Sequence, residues 1–95
     1  PSLLAWKILN LGTDHFMTIT DHRIPDLMRL LAKGMSNDLP IEAGECSASG
    51  LAALIEAMSN DSIAKKMSLN QNSRILLFGT EGATDPDIYK AIINA

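Results

Sequence analysis

The sequence predicts an α/β domain, a small parallel three-stranded sheet flanked by helices. Three observations carry that expectation. Short β-branched or apolar runs alternate with stretches whose apolar residues recur at i, i+3, i+4 and i+7. Polar turn residues separate the two kinds of segment, as in repeated strand-helix units. The run RILLFG, with four consecutive apolar residues between turn signals, suits a strand covered on both faces, as parallel sheets are.

In chain order, PSLLAWKILN places Leu4, Ile8 and Leu11 on one helical face, with Pro1 and Ser2 suited to a helix start. The chain opens on that first turn, as the tail of something longer would. Gly12 ends the helix, and Phe16 to Thr20 reads as a first strand. Ile24 to Lys33 is a helix, with Pro25 and Asp26 in its first turn and Gly34 as its stop. A polar loop, Gly34 to Pro40, leads to a second short strand, Ile41 to Ala43. Gly44 turns the chain, Ser47 and Ser49 precede the next helix, and Leu51, Leu54, Ile55 and Met58 form its apolar stripe. Ser59, Asn60 and Asp61 break that pattern and cap a shorter helix carrying Ile63, Ala64 and Met67. Arg74 to Gly79 is the third strand and Thr80 to Thr84 a loop. Asp85 and Pro86 open the last helix, with Ile88, Ile92, Tyr89 and Ile93 directed inward. Trp6 and the five methionines read as core filling.

The bulk numbers exclude several roles. Ninety-five residues at 46% apolar and 20% charged describe one domain, residues 1–95, or a piece of a larger one. A net charge of −3 with scattered Lys and Arg argues against a nucleic-acid partner. No apolar run approaches a bilayer span and no charged-then-apolar leader opens the chain, so no membrane role is expected and a cytoplasmic location is. A single cysteine excludes an internal disulfide and a cysteine-based metal cluster.

The candidate site lies where strands feed helices, because unpaired N–H groups and the helix dipole collect there. Glu45 sits at the first such turn. An anion brought to GECSASG would meet its like charge, so a cationic or hydrogen-donating group is the better ligand. Thr80, Glu81 and Gly82 form the second turn, at the same end of a parallel sheet, which would let the two turns share one pocket. Cys46 lacks the second glycine of a nucleophile elbow, and His15 and His22 precede it in the chain, so a buried, inert thiol is expected. Each histidine follows an aspartate, but with strand geometry they would stand roughly 23 Å apart, too far to share a metal.

Three segments, PSLLAWKIL, AGECSASGLAAL and LLFGTEGATDPDIY, together resemble the carboxyl-terminal third of the diaminopropionate ammonia-lyases, pyridoxal-phosphate enzymes of the tryptophan synthase β-like fold, also called fold type II. The resemblance spans essentially the whole chain. It implies a homo-oligomeric enzyme that eliminates ammonia from 2,3-diaminopropionate, a small amino-acid substrate, to give pyruvate. It also implies cofactor-binding roles for Gly44 and Glu45 beside the pyridine ring and for Gly79, Thr80, Glu81 and Gly82 near its nitrogen edge. Where the family reads serine before TEG, this chain has Gly79, so the hydroxyl expected at that edge is missing. The lysine that anchors the cofactor, the glycine-rich phosphate loop and the proton-moving acids belong to earlier segments of the family. No catalytic residue is therefore assigned, and the chain alone is expected to be inactive. The alternative expectation is a catalytically silent α/β module that dimerises and binds a partner or small ligand.

Overall fold

A computed structural model describes residues 2–95, and within them the chain folds as helices joined by extended segments and turns. Five α-helices form in chain order: α1 (Leu3–Gly12), α2 (Ile24–Lys33), α3 (Ser49–Met58), α4 (Asp61–Lys66) and α5 (Pro86–Ile93). Single turns of 3-10 helix at Asp21–Arg23 and Cys46–Ala48 lead into α2 and α3.

Local chemistry explains the helix ends. The Ser2 hydroxyl accepts the Ala5 N–H, the Asn60 side chain accepts those of Ser62 and Ile63, and the Asp85 carboxylate accepts that of Ile88. Pro86 follows Asp85 at the first helical position, where a missing N–H costs nothing. Gly34 closes α2 with φ +75°, and a Cβ there would lie 2.6 Å from the Asp38 carbonyl oxygen. Glycine is thus required twice over.

The core is built by α2. Ile24, Leu27 and Met28 are buried against Ala48 and Ala52, with Ile19, Leu30, Leu51, Ile55, Tyr89, Ile92 and Ile93 packed around them. The two alanines let the start of α3 approach α2 closely, and α5 closes the other side. Arg29 fixes that closure. Its guanidinium donates to the Ile92 carbonyl at 2.8 Å, near the end of α5, and pairs with Asp26 one turn back. A cation at a helix carboxyl end also meets the favourable end of the dipole. Arg23 pairs with Glu56 at 2.8 Å, tying the first 3-10 turn to α3.

The expected α/β architecture is not what forms. Among the described residues there is no strand and no sheet, so the three-stranded parallel sheet of a fold type II fragment is absent. Phe16 to Thr20, Ile41 to Ala43 and Arg74 to Gly79 carry no helical or strand structure and exchange no ladder of backbone hydrogen bonds. A strand needs a neighbour at about 4.8 Å to take its N–H and C=O groups. Here the neighbours are helices and turns: the Ile41 N–H goes to the Leu31 carbonyl of α2. The apolar run recorded a demand for burial, and nothing alongside meets it, since Phe78 is 78% exposed. Other inward assignments fail for the same reason. Trp6 and Ile88 are exposed, and of the five methionines only Met28 is buried. No helix among the described residues is long and apolar enough to cross a membrane.

Candidate functional site: two interlocked turns

Without a sheet edge to align them, the two turns nonetheless meet. The first runs from Glu42 into the 3-10 turn Cys46–Ala48 that starts α3, and the second is Gly79 to Thr84, before α5. Glu81 is the junction. Its carbonyl oxygen accepts the Gly44 N–H at 2.9 Å and the Ser47 hydroxyl at 2.5 Å. Its own N–H donates back to the Ser47 Oγ at 2.8 Å, and its carboxylate Oε1 accepts the Cys46 N–H at 3.4 Å. From the other side, the Glu42 carboxylate accepts the Ala83 N–H at 3.3 Å. Five bonds therefore close two segments more than 30 residues apart, satisfying N–H groups that a turn otherwise leaves to water.

Gly44 permits the approach. A Cβ on it would run into the Gly82 carbonyl oxygen and lie 2.6 Å from the Glu81 carboxylate, so only glycine lets the backbones touch. Gly79 is different. A Cβ there would lie 3.4 Å from the Ser47 Cβ, ordinary contact, and Gly79 lines a groove beside Leu77 and Phe78 and not the recess between the turns.

Of the residues singled out from sequence, Gly44 is buried, Glu81 is half-buried, and Glu45, Gly79, Thr80 and Gly82 are exposed. Gly44, Glu81 and Gly82 come together directly. Glu45 and Glu81 border a narrow recess between the turns, about 40 Å³ in volume, with Met28 and Tyr89 behind it. Glu45 also faces a larger cleft of about 360 Å³, whose apolar floor is Ile19, Ile24, Met28 and Ile92 and whose rim carries Asp21, Cys46 and Ser49. Thr80 lines neither. Cys46 is exposed, not buried as expected, because the 3-10 turn directs Ala48 and not Cys46 toward α2. Among the described residues, no group of three or more His, Cys, Asp or Glu side chains is arranged to hold a metal.

Sequence reasoning missed Ser47 and Glu42. From sequence Ser47 is only a small polar residue before a helix, whereas in the structure its hydroxyl is spent on Glu81. Nothing local in the sequence signals a bond to a residue 34 positions away.

The electrostatics of these clefts are one-signed. Asp21 and Glu45 line the larger, Glu45, Glu81 and Asp85 the smaller, and no Lys, Arg or His lines either. The five lysines are all exposed. Such a wall favours a cationic or hydrogen-donating group over an anion.

No family model matches the chain, and no solved structure matches it. Among curated proteins, the diaminopropionate ammonia-lyase of Salmonella typhimurium (strain LT2) is 33% identical over 97 aligned residues, covering 98% of this chain and 24% of that protein. The enzymes of the same name from Escherichia coli K12 and O157:H7 are 31% identical over 96 residues, with the same coverage. The chain spans about a quarter of the length of the curated relatives it matches. Over nearly its whole length, then, the chain is similar in sequence to a segment of the diaminopropionate ammonia-lyases.

Proposed function

We propose that this chain is the carboxyl-terminal segment of a pyridoxal-phosphate-dependent lyase that eliminates ammonia from 2,3-diaminopropionate, leaving pyruvate, and that its two interlocked turns form the ring-nitrogen wall of the cofactor site. The observation that carries this reading is the convergence of Gly44, Ser47 and Glu81 beside an acidic cleft, in a chain similar to these enzymes from end to end.

The chain's own residues divide the work. Gly44 and Ser47 hold the Glu81 backbone in place, so the second turn is set before any ligand arrives. Preorganisation of this kind spares the ordering cost that a mobile loop would incur on binding. Glu45 and Asp21 supply negative charge to a cleft floored by Ile24 and Met28, which favours a cationic group and limits water beneath it. Pyridoxal phosphate, when bound, supplies the electron sink that the elimination needs. On this reading, the residues that anchor it lie in the part of the lyase that this chain does not span.

The test is a chimera in which residues 1–95 replace the matching segment of the Salmonella typhimurium lyase. The expected result is pyruvate formation from 2,3-diaminopropionate, with no specific imine absorbance when the 95-residue chain alone is mixed with pyridoxal phosphate. A soluble chimera that binds the cofactor yet forms no pyruvate contradicts the reading.

A further inference from the structure

A folded 10.3 kDa protein is expected to expose about 5,400 Å². This chain exposes 7634 Å², some 2,200 Å² more by the same scaling. Its radius of gyration, 14.9 Å, likewise exceeds the value of about 12.4 Å for a compact domain of this length. Exposed large apolar side chains gather on α1 and along Ile75 to Phe78. Every residue of α1 is exposed, including Leu4, Ile8 and Leu11, and Lys7 is the only charged side chain on that helix. Two adjoining grooves, of about 260 and 810 Å³, share Leu31, Ile41 and Leu51 and run from Leu77 and Phe78 to Leu39. No residue of α1 lines either groove, so the helix does not fill them in its own chain.

The size of the surplus selects the kind of partner. A transient interface hides about 800 Å² per side, whereas obligate interfaces reach 2,000 to 5,000 Å² in total and are more hydrophobic. About 2,200 Å² on one side belongs to the obligate class. Both the projecting helix and the groove it does not enter need covering. The relatives supply a partner of the right extent, because this chain accounts for only 24% of their length.

We infer that α1 and the groove between Leu39 and Phe78 are each covered by polypeptide equivalent to the three quarters of a diaminopropionate ammonia-lyase that this chain does not span, a partner presenting broad, weakly charged apolar surface. The inference rests on the lyase reading for the identity of that partner. It does not depend on catalysis.

The experiment pairs the 95-residue chain with tagged Salmonella typhimurium lyase lacking the matching quarter, followed by size exclusion with light scattering. A 1:1 complex is expected, weakened at least about tenfold by Ile8→Asp or Leu77→Asp. Both residues are exposed, so circular dichroism of the isolated variants should match that of the unaltered chain. Failure of the two polypeptides to associate, association indifferent to both substitutions, or a homodimer of the chain that protects Ile8 and Leu77 from exchange would each overturn the inference. Should the trimmed lyase prove insoluble, the same substitutions go into the chimera. There they are expected to lower its melting temperature while leaving that of the isolated chain unchanged, and equal effects in both settings would overturn the inference. A complex without pyruvate formation keeps the docking surface and removes the lyase function, and an active chimera indifferent to both substitutions does the reverse.

Discussion

The Ser47 hydroxyl holds Glu81 by both ends of its backbone, donating to the carbonyl oxygen at 2.5 Å and accepting the N–H at 2.8 Å. One side chain thereby does for a turn what a strand ladder does for a sheet. Ser47→Ala removes both bonds and leaves the methyl-sized space otherwise unchanged. At about 0.5–1.5 kcal/mol per bond, the loss is expected to be about 1–3 kcal/mol. Thermal unfolding measures it, and hydrogen exchange should show faster exchange at the Glu81 amide while the α2 core amides change with global stability alone.

Gly44 and Gly12 make a contrasting pair. Gly44→Ala puts a methyl group against the Gly82 carbonyl oxygen and the Glu81 carboxylate, an overpacking worth about 1–3 kcal/mol of destabilisation. Gly12→Ala, in the last position of α1 with nothing within 4 Å of the added carbon, is expected to raise stability by up to about 1 kcal/mol. Denaturant melts of the two variants should move in opposite directions.

Gly79→Ser restores the hydroxyl that the resemblance leads one to expect. Its Cβ would lie 3.4 Å from the Ser47 Cβ, so it fits without displacing the turn, and the change in stability should stay within about 0.5 kcal/mol. Thermal unfolding reads the difference.

Arg29→Met keeps the aliphatic stem of the side chain and removes its charge. The Ile92 carbonyl then loses a charge-assisted donor worth about 1.5–3 kcal/mol, discounted because the pair is partly exposed. A fall in melting temperature of several degrees is expected, since about 1 kcal/mol corresponds to 4–8 °C in a domain of this size. α5 should loosen first, which exchange at the Tyr89 and Ile92 amides would reveal.

The helices were legible because their signals are local. Asp85 followed by Pro86, Asn60, Gly34 and Ser2 each act within one turn of the residue they cap. The sheet was misread because the apolar run Ile75 to Phe78 states what a segment would bury, and not whether anything lies beside it. Leu76, 76% exposed, shows the difference. The meeting of the two turns was anticipated from the order of elements, although the sheet edge meant to align them is absent. The Ser47 and Glu42 bonds that align them instead span 34 and 41 residues and leave no trace in local pattern.

Alkylation of Cys46 tests the central claim most directly, because this exposed thiol stands on the cleft rim beside Glu45. In the chimera, the rate at which iodoacetamide labels the Cys46 peptide is measured by mass spectrometry with and without pyridoxal phosphate. If the turn borders the cofactor, free cofactor at about ten times its Kd slows labelling about tenfold, since only the unoccupied fraction reacts. Labelling at an unchanged rate while absorbance reports bound cofactor would contradict the account.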